Sequence, residues 1–105
     1  MKDQTAFIEV FGSSPLIKVL DFLMTYREFD YSLSDIAMES ASRKHSFFFK
    51  LVEKGIVKET RQVGRARLYK LNTDSPIAKN LIEINNLVTS KAVDDELKKQ
   101  ELEVG

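Results

Sequence analysis

The chain has 105 residues, of which 43% are hydrophobic and 30% charged, and a net charge of zero, a composition typical of one folded domain. The absence of cysteine excludes disulfides and thiolate metal sites, and the single histidine excludes a multi-histidine site, so we expect neither a metal nor a cofactor. The sequence has neither an apolar run of ~20 residues nor a secretion-signal layout at its start, so we expect a cytoplasmic protein with no membrane partner.

The first elements follow from apolar spacing and capping residues. Phe7 and Phe11 have the spacing of a short helix, although a strand also fits this segment. Ser14 is a good N-cap and Pro15 suits the first helical position, where its missing N–H costs nothing. The sequence therefore predicts a mostly buried helix over residues 14–27.

The middle of the chain predicts two helices joined by a brief turn. A connector with room for a short strand at residues 31–33 precedes Ser34, which can cap a short helix. A turn near residues 40–42 leads into a third helix over residues 42–54, which ends at Gly55. Two helices joined in this way have the outline of a helix-turn-helix.

Three consecutive phenylalanines lie in the third predicted helix. Because a helix turns about 100° per residue, three neighbours cannot all face one core. With Phe48 at the centre of the buried stripe, Leu51 and Val52 lie beside it, and Phe47 and Phe49 flank it. We expect Phe49 either to pack against another element or partner or to stand at the surface as an apolar contact.

A β-hairpin is predicted next. The segments "IVKETR" and "ARLYKLN" are β-prone, and "QVGR" supplies the glycine of a tight turn, which places the tip near Gly64. Arg61, Arg65 and Arg67 cluster at or near this tip, with no core to bury against and no acid expected beside them. We expect an anion there, with plain solubility of the hairpin as the alternative.

The last predicted element is a helix that opens at Pro76 after a Ser75 cap. Its apolar residues repeat at spacings of four, three and four, which is a seam suited to a helix partner. The residues of this predicted dimerisation seam are Ile77, Leu81, Ile84 and Val88. We expect a homodimer through the seam, with packing on the same domain as the alternative. Residues 75–105 then form a dimerisation helix with a charged tail, and residues 1–74 form the rest of the same single domain.

The neutral total hides an uneven charge distribution. Residues 43–70 hold nine Lys or Arg and two Glu, a net charge of +7, whereas residues 1–42 carry −4 and residues 71–105 carry −3. A basic centre between acidic flanks can mark a surface that binds a polyanion, the alternative being a solvated basic face.

Over roughly residues 11–72, this order of elements resembles a winged helix-turn-helix. "FGSSPLIKVLDFL" resembles the opening of many small archaeal winged-helix regulators, and "LSDIA" resembles their second helix. "KLVEKGIVKE" and "VGRARLYKLN" are similar to the end of their recognition helix and to their wing. The resemblance implies an α+β, mostly α fold with a three-helix core, a two-stranded β-hairpin wing and a C-terminal helix. It also implies a homodimeric DNA-binding transcriptional regulator of the broad group that includes the MarR-like and ArsR-like proteins.

In such regulators the recognition helix, here residues 42–54, enters the major groove of double-stranded DNA. The wing, here residues 61–67, contacts the backbone or the minor groove. Lys44 stands where the family usually has an apolar residue, so either the helix starts later here or the Lys44 stem lies along the core with its ammonium outside. Ser40, Ser42 and Gln62 are expected as neutral phosphate donors. The candidate DNA-binding residues are Ser42, Arg43, Lys44, His45, Ser46, Lys50, Arg61, Arg65 and Arg67.

The sequence gives catalysis little support, and we do not expect an enzyme. One histidine leaves no Ser/His/Asp arrangement, and no phosphate-loop or dinucleotide fingerprint occurs. The alternative to a sequence-specific DNA-binding regulator is a protein-interaction module without DNA binding, which an exposed Phe49 would favour. A third hypothesis is a regulator with an effector pocket between the wing and the dimerisation helix, although nothing in the sequence names an effector.

Overall fold

A computed structural model describes residues 4–40 and 46–104 of the chain. These residues form an α+β fold that is mostly helical, as the sequence predicts. The elements in chain order are helices α1 (Ala6–Phe11) and α2 (Pro15–Thr25), strand β1 (Tyr31–Ser32), helices α3 (Leu33–Glu39) and α4 (Phe47–Glu53), strands β2 (Val57–Val63) and β3 (Ala66–Leu71), and helix α5 (Pro76–Val104). Strand β1 joins the predicted two-stranded hairpin and makes a three-stranded antiparallel sheet.

Serine caps decide where three of the helices begin. The hydroxyl oxygens of Ser14 and Ser75 each accept a hydrogen bond from the backbone N–H three residues ahead, at 3.3 Å, which confirms both predicted caps. The predicted Ser34 cap is wrong. Helix α3 begins earlier because the Ser32 hydroxyl accepts the N–H of Asp35 at 3.1 Å.

Strand β3 is the centre of the sheet, with β1 on one side and β2 on the other. The turn between β2 and β3 holds Gly64 at φ 62°, a left-handed conformation that glycine adopts without steric cost, so the predicted hairpin tip is confirmed. A β-bulge between Glu59 and Arg61 shifts the register, so that Arg61 lies opposite Leu68.

The core lies between the helices and the base of the hairpin. The Phe48 ring meets the Tyr69 ring edge to face at a centroid distance of 5.0 Å, which joins α4 to the central strand. Phe48 is buried, Phe47 is half-buried and Phe49 is 55% exposed, so the predicted division of the three phenylalanines is confirmed. The largest fully buried side chains are Leu23, Met24, Ile36, Val57 and Leu71.

A buried carboxyl ties the first two helices together. The Thr5 hydroxyl donates a hydrogen bond to Asp21 at 2.7 Å and also accepts the N–H of Ile8 at 3.2 Å, which caps α1. Asp21 is 8% exposed. Burial raises the pKa of its carboxyl, and the Thr5 hydrogen bond opposes that rise.

Helix α5 has 29 residues and packs against α1. Within the predicted seam, Leu81 and Val88 are half-buried against the same chain, whereas Ile77 is 50% exposed and Ile84 is 40% exposed. Residues 89–101 are all exposed. Within residues 4–40 and 46–104, no helix has the length and apolar character that a bilayer span requires.

Candidate nucleic-acid interface

The β2–β3 hairpin extends beyond the core as an exposed two-stranded ribbon. Val57 at the start of β2 and Leu71 at the end of β3 are buried, whereas residues 58–67 between them are all exposed. Backbone pairing nevertheless continues to the last pair before the turn, Val63 with Ala66. The ribbon therefore carries its side chains into solvent on a hydrogen-bonded frame.

A cleft of about 250 Å³ separates the hairpin tip from the start of α3, and we call it the arginine cleft. Side chains alternate along a strand, so Arg67 shares the face of β3 that carries buried Tyr69 and Leu71. Arg67 is thereby directed to the helical side of the sheet. The residues that line the arginine cleft are Ser32, Leu33, Ser34, Arg65, Ala66, Arg67 and Tyr69.

Sheet pairing explains why these residues meet. Ser32 lies opposite Leu68 in the β1–β3 ladder, so α3 starts beside the last residues of the hairpin turn. Two serine hydroxyls and two guanidinium groups then line one cleft. These groups are the side-chain donors that most often contact phosphate oxygens.

The two arginines of the cleft are available to an anion. Arg65 has no hydrogen bond or ion pair with any side chain in the part of the chain that the structure describes. The Arg67 guanidinium lies 3.8 Å from the Glu59 carboxylate, with side-chain exposures of 64% and 40%. An exposed pair at this distance contributes little, so Arg67 can exchange it for a phosphate.

Arg61 differs from Arg65 and Arg67, because its guanidinium is hydrogen-bonded to the Asp30 carboxylate. The Arg61 Nε donates to Asp30 Oδ2 at 3.0 Å and its Nη2 donates to Oδ1 at 3.2 Å, while the Thr60 hydroxyl donates to the same carboxylate. The Arg61 hydrogen bonds, followed by that of Thr60, lower the pKa of the Asp30 carboxyl, and the same pairing raises the pKa of Arg61. The expectation that no acid lies beside the hairpin arginines is therefore wrong for Arg61, and also for Arg67, which has Glu59 at 3.8 Å.

Helix α4 presents one exposed face opposite Phe48. Ser46, Phe49, Lys50 and Glu53 are all exposed, and their spacing places them on this face. The helix ends as predicted, since Gly55 has a φ of 79° just beyond it. The helix was predicted to include Ser46, which is wrong, because α4 begins at Phe47 with Ser46 as its N-cap. Four of the candidate DNA-binding residues, Ser42, Arg43, Lys44 and His45, lie outside the described residues.

Of the three expected neutral phosphate donors, Ser42 lies outside the described residues, and Ser40 and Gln62 have different environments. Ser40 is 8% exposed and its hydroxyl donates to the Ile36 carbonyl, so the expectation that it contacts phosphate is wrong. Gln62 is exposed on the hairpin, where its amide donates to the Gly64 carbonyl at 3.2 Å. Ser40 was misassigned because its position after α3 suggests an exposed turn, whereas its hydroxyl closes the end of that helix.

Comparison with protein-family models, with curated proteins and with solved structures finds no match to this chain. Among residues 4–40 and 46–104 there is also no group of three or more side chains placed to hold a metal ion.

Proposed function

We propose that the chain is a winged helix-turn-helix protein that binds double-stranded DNA sequence-specifically and regulates transcription as a homodimer. The observation that carries this proposal is the arginine cleft, where Arg65 and Arg67 meet the hydroxyls of Ser32 and Ser34 at the tip of an exposed ribbon. The donors suit the DNA backbone because phosphate contacts supply affinity and position the protein on the duplex.

The order of the elements supports the fold in this proposal. Helices α2, α3 and α4 correspond to the three-helix core, and the β2–β3 hairpin corresponds to the wing. Helix α4 is the recognition helix, with Ser46 and Lys50 on its exposed face. Base contacts in such proteins come from the N-terminal end of this helix, so we expect residues 42–46 to contact the bases.

The three hairpin arginines have different roles in this proposal. Arg65 and Arg67 contact backbone phosphates, because one has no acid partner among the described residues and the other has a weak one. Arg61 positions the hairpin through Asp30, since a guanidinium with both ends on one carboxylate is already satisfied. Two phosphate contacts from each wing are expected in the dimer.

Helix α5 and its neighbour α1 carry the proposed dimer surface. Ile84 and Leu87 of α5 are 40% and 61% exposed, and Val10 and Phe11 of α1 are 61% and 48% exposed. A second copy that covers these residues would bury apolar surface that the single chain leaves in water. Leu81 and Val88 are half-buried within their own chain, so they hold α5 on its own domain and leave Ile84 and Leu87 for the partner.

Sedimentation equilibrium at micromolar concentration tests the dimer. We expect the mass of two chains for the wild type and of one chain for Ile84→Glu combined with Leu87→Glu, because the charges would be buried at the interface. Asn86→Glu is the control, since it adds charge at an exposed polar position of the same helix turn. A monomeric wild type would contradict the dimer without contradicting DNA binding.

DNA selected from a random pool tests the function. We expect enrichment of one sequence, and a binding constant for that duplex that falls linearly with salt on a logarithmic plot as counterions are released. Binding to an unselected duplex should be weaker by about a thousandfold or more. A binding constant that barely changes with salt, or a pool that shows no enrichment, would contradict the proposal.

One observation favours a second function, a protein-interaction module on the same fold. Phe49 is 55% exposed on the face of α4 that would enter the major groove, where an apolar residue suits a protein surface as well. Combined replacement of Arg65 and Arg67 by alanine separates the two functions. Loss of DNA retention supports the first, and retention equal to that of the wild type supports the second.

A further inference from the structure

A second cleft, of about 340 Å³, lies between the end of α2, strand β1 and helix α3, away from the hairpin tip. Its lining combines three aromatic rings with two carboxylates, and we call it the aromatic cleft. The lining residues are Phe22, Tyr26, Tyr31, Asp35 and Glu39. A cleft of this size fits a small organic ligand.

The three aromatic rings line one side of the aromatic cleft, where Phe22 contacts both tyrosines. The Phe22 ring centroid lies 5.2 Å from that of Tyr26, at an interplanar angle of 46°, and 4.9 Å from that of Tyr31, at 60°. Phe22 is buried, so it holds the two tyrosines apart, while Tyr26 is 50% exposed and Tyr31 is half-buried. The faces of such rings carry a negative quadrupole that attracts cations.

The two carboxylates differ in what they do for α3, since Asp35 lies in the first turn, where the helix dipole favours a negative charge. Asp35 and Glu39 are four residues apart on one face of α3, so their charges repel each other. Glu39 is also the last residue of α3, the end at which the helix dipole disfavours negative charge. Neither side chain has a basic partner in residues 4–40 and 46–104. A cation between them would relieve both effects.

The surroundings of Tyr31 are consistent with a negative potential in the aromatic cleft. The pKa of its phenol is raised, first by burial, then by Tyr26 and by the carboxylates of Glu39, Asp30 and Asp35. Asp30 is occupied by Arg61, so the two carboxylates of α3 are the ones that can accept a ligand.

We propose that the aromatic cleft binds an organic ammonium ion. Its charged nitrogen lies between the carboxylates of Asp35 and Glu39, and its hydrocarbon part lies on the rings of Tyr26 and Tyr31. The attraction combines charge with cation–π contact, and neither part requires the chain to bind DNA. The arginine cleft repels such a ligand, so the two clefts take ligands of opposite charge.

A titration of the full chain with choline tests the proposal, with 3,3-dimethylbutan-1-ol as the uncharged probe of the same shape. The chain has three tyrosines, so NMR signals of the Tyr26 and Tyr31 rings can be resolved and report on the cleft. We expect saturable shifts of Tyr26 and Tyr31 with choline, and affinity for the alcohol lower by about fivefold or more. Equal affinity for both probes, or no saturation by choline up to about 50 mM, would overturn the proposal.

Isosteric variants test whether choline affinity depends on the carboxylates of Asp35 and Glu39 or only on the net charge of the chain. Asp35→Asn combined with Glu39→Gln should weaken choline binding by about fivefold, because each partly solvated charge contributes modestly. The control, Asp74→Asn with Glu83→Gln, removes the same charge from exposed positions away from the cleft and should leave the affinity unchanged. Equal losses in both variants would show only a general effect of net charge and would overturn the site. Benzylamine, added to the complex with choline, tests primary ammonium groups in the same cleft. Displacement of choline by benzylamine supports the proposal when it depends on Asp35 and Glu39.

Discussion

The base and the tip of the β2–β3 hairpin differ in what holds them. At the base, Val57 and Leu71 are buried, and Asn72 joins the hairpin to the end of α4 through its side-chain amide, which donates to the Gly55 carbonyl at 2.9 Å. At the tip, Arg65 and Arg67 have no core contact and line an open cleft. The base supplies rigidity and the tip supplies charge, so substitutions at the two ends should separate stability from binding.

The largest expected effect is on stability, at the base. Leu71→Ala should lower the free energy of unfolding by about 2–5 kcal/mol, because the removed methyl groups leave a cavity in the core. Val63→Ala is the matched control at the tip, where the side chain is 54% exposed, and it should change stability by under about 0.5 kcal/mol. Urea unfolding measures both. Equal losses would mean that the tip is as firmly packed as the base.

The next effect is on DNA binding, at the tip. Arg65→Ala combined with Arg67→Ala should weaken binding to duplex DNA by about tenfold for each arginine, because charge-assisted hydrogen bonds to phosphate are lost. Stability in urea should stay at the wild-type value. Lys98→Ala with Lys99→Ala removes the same charge from the exposed end of α5 and should have a much smaller effect. If both double variants lost a similar amount of affinity, the arginines at the tip would contribute only through the net charge of the chain.

A smaller effect is expected midway along the hairpin, at the Asp30 contact. Asp30→Asn keeps the shape of the side chain but removes the charge that holds Arg61 and Thr60, so thermal unfolding at neutral pH should occur at a slightly lower temperature. Asp74→Asn is the control, because it removes one carboxylate from an exposed position. An unchanged unfolding temperature in Asp30→Asn would mean that the contact does not stabilise the hairpin.

The smallest effect is a pH dependence of the same contact. Because the folded state lowers the pKa of Asp30 below its ordinary value of 3.8, its contribution to stability is fully present well above that pH and is lost as the pH falls through the folded pKa. The stability difference between the wild type and Asp30→Asn should therefore shrink on acidification below about pH 4. The contribution of Asp21 to stability has the opposite pH dependence, since its pKa is raised. Both proteins contain Asp21, so its contribution cancels in the stability difference. A difference that grows on acidification would contradict the assigned direction.

Local signals predicted the parts of this fold that depend on neighbouring residues. The Ser14 and Ser75 caps, the turn at Gly64 and the burial of Phe48 each follow from a few adjacent positions. Serine at the start of α3 was assigned to the wrong residue, because Ser32 and Ser34 both satisfy the local preference and only the position of β1 decides between them.

Long-range contacts were not predictable from spacing. Arg61 and Asp30 are 31 residues apart in sequence, and they meet only because the connector before β1 runs beside the bulge of β2. The arginine cleft likewise depends on β1 pairing with β3. Periodicity found an apolar seam on α5, but it could not tell that Leu81 and Val88 would be covered by the same chain while Ile84 stays exposed.

The salt dependence of DNA binding, measured for two single variants, is the most direct test of the account. It shows whether Arg65 at the tip and Arg61 midway along the hairpin have different roles. Arg65→Ala should reduce the slope of log K against log salt by about two for the dimer, because one phosphate contact is lost in each of its two chains. Arg61→Ala should leave the wild-type slope unchanged, since Asp30 already neutralises that guanidinium. Equal reductions in the two variants, or a reduction in Arg61→Ala alone, would contradict the assignment of the tip as the DNA-contacting end of the hairpin.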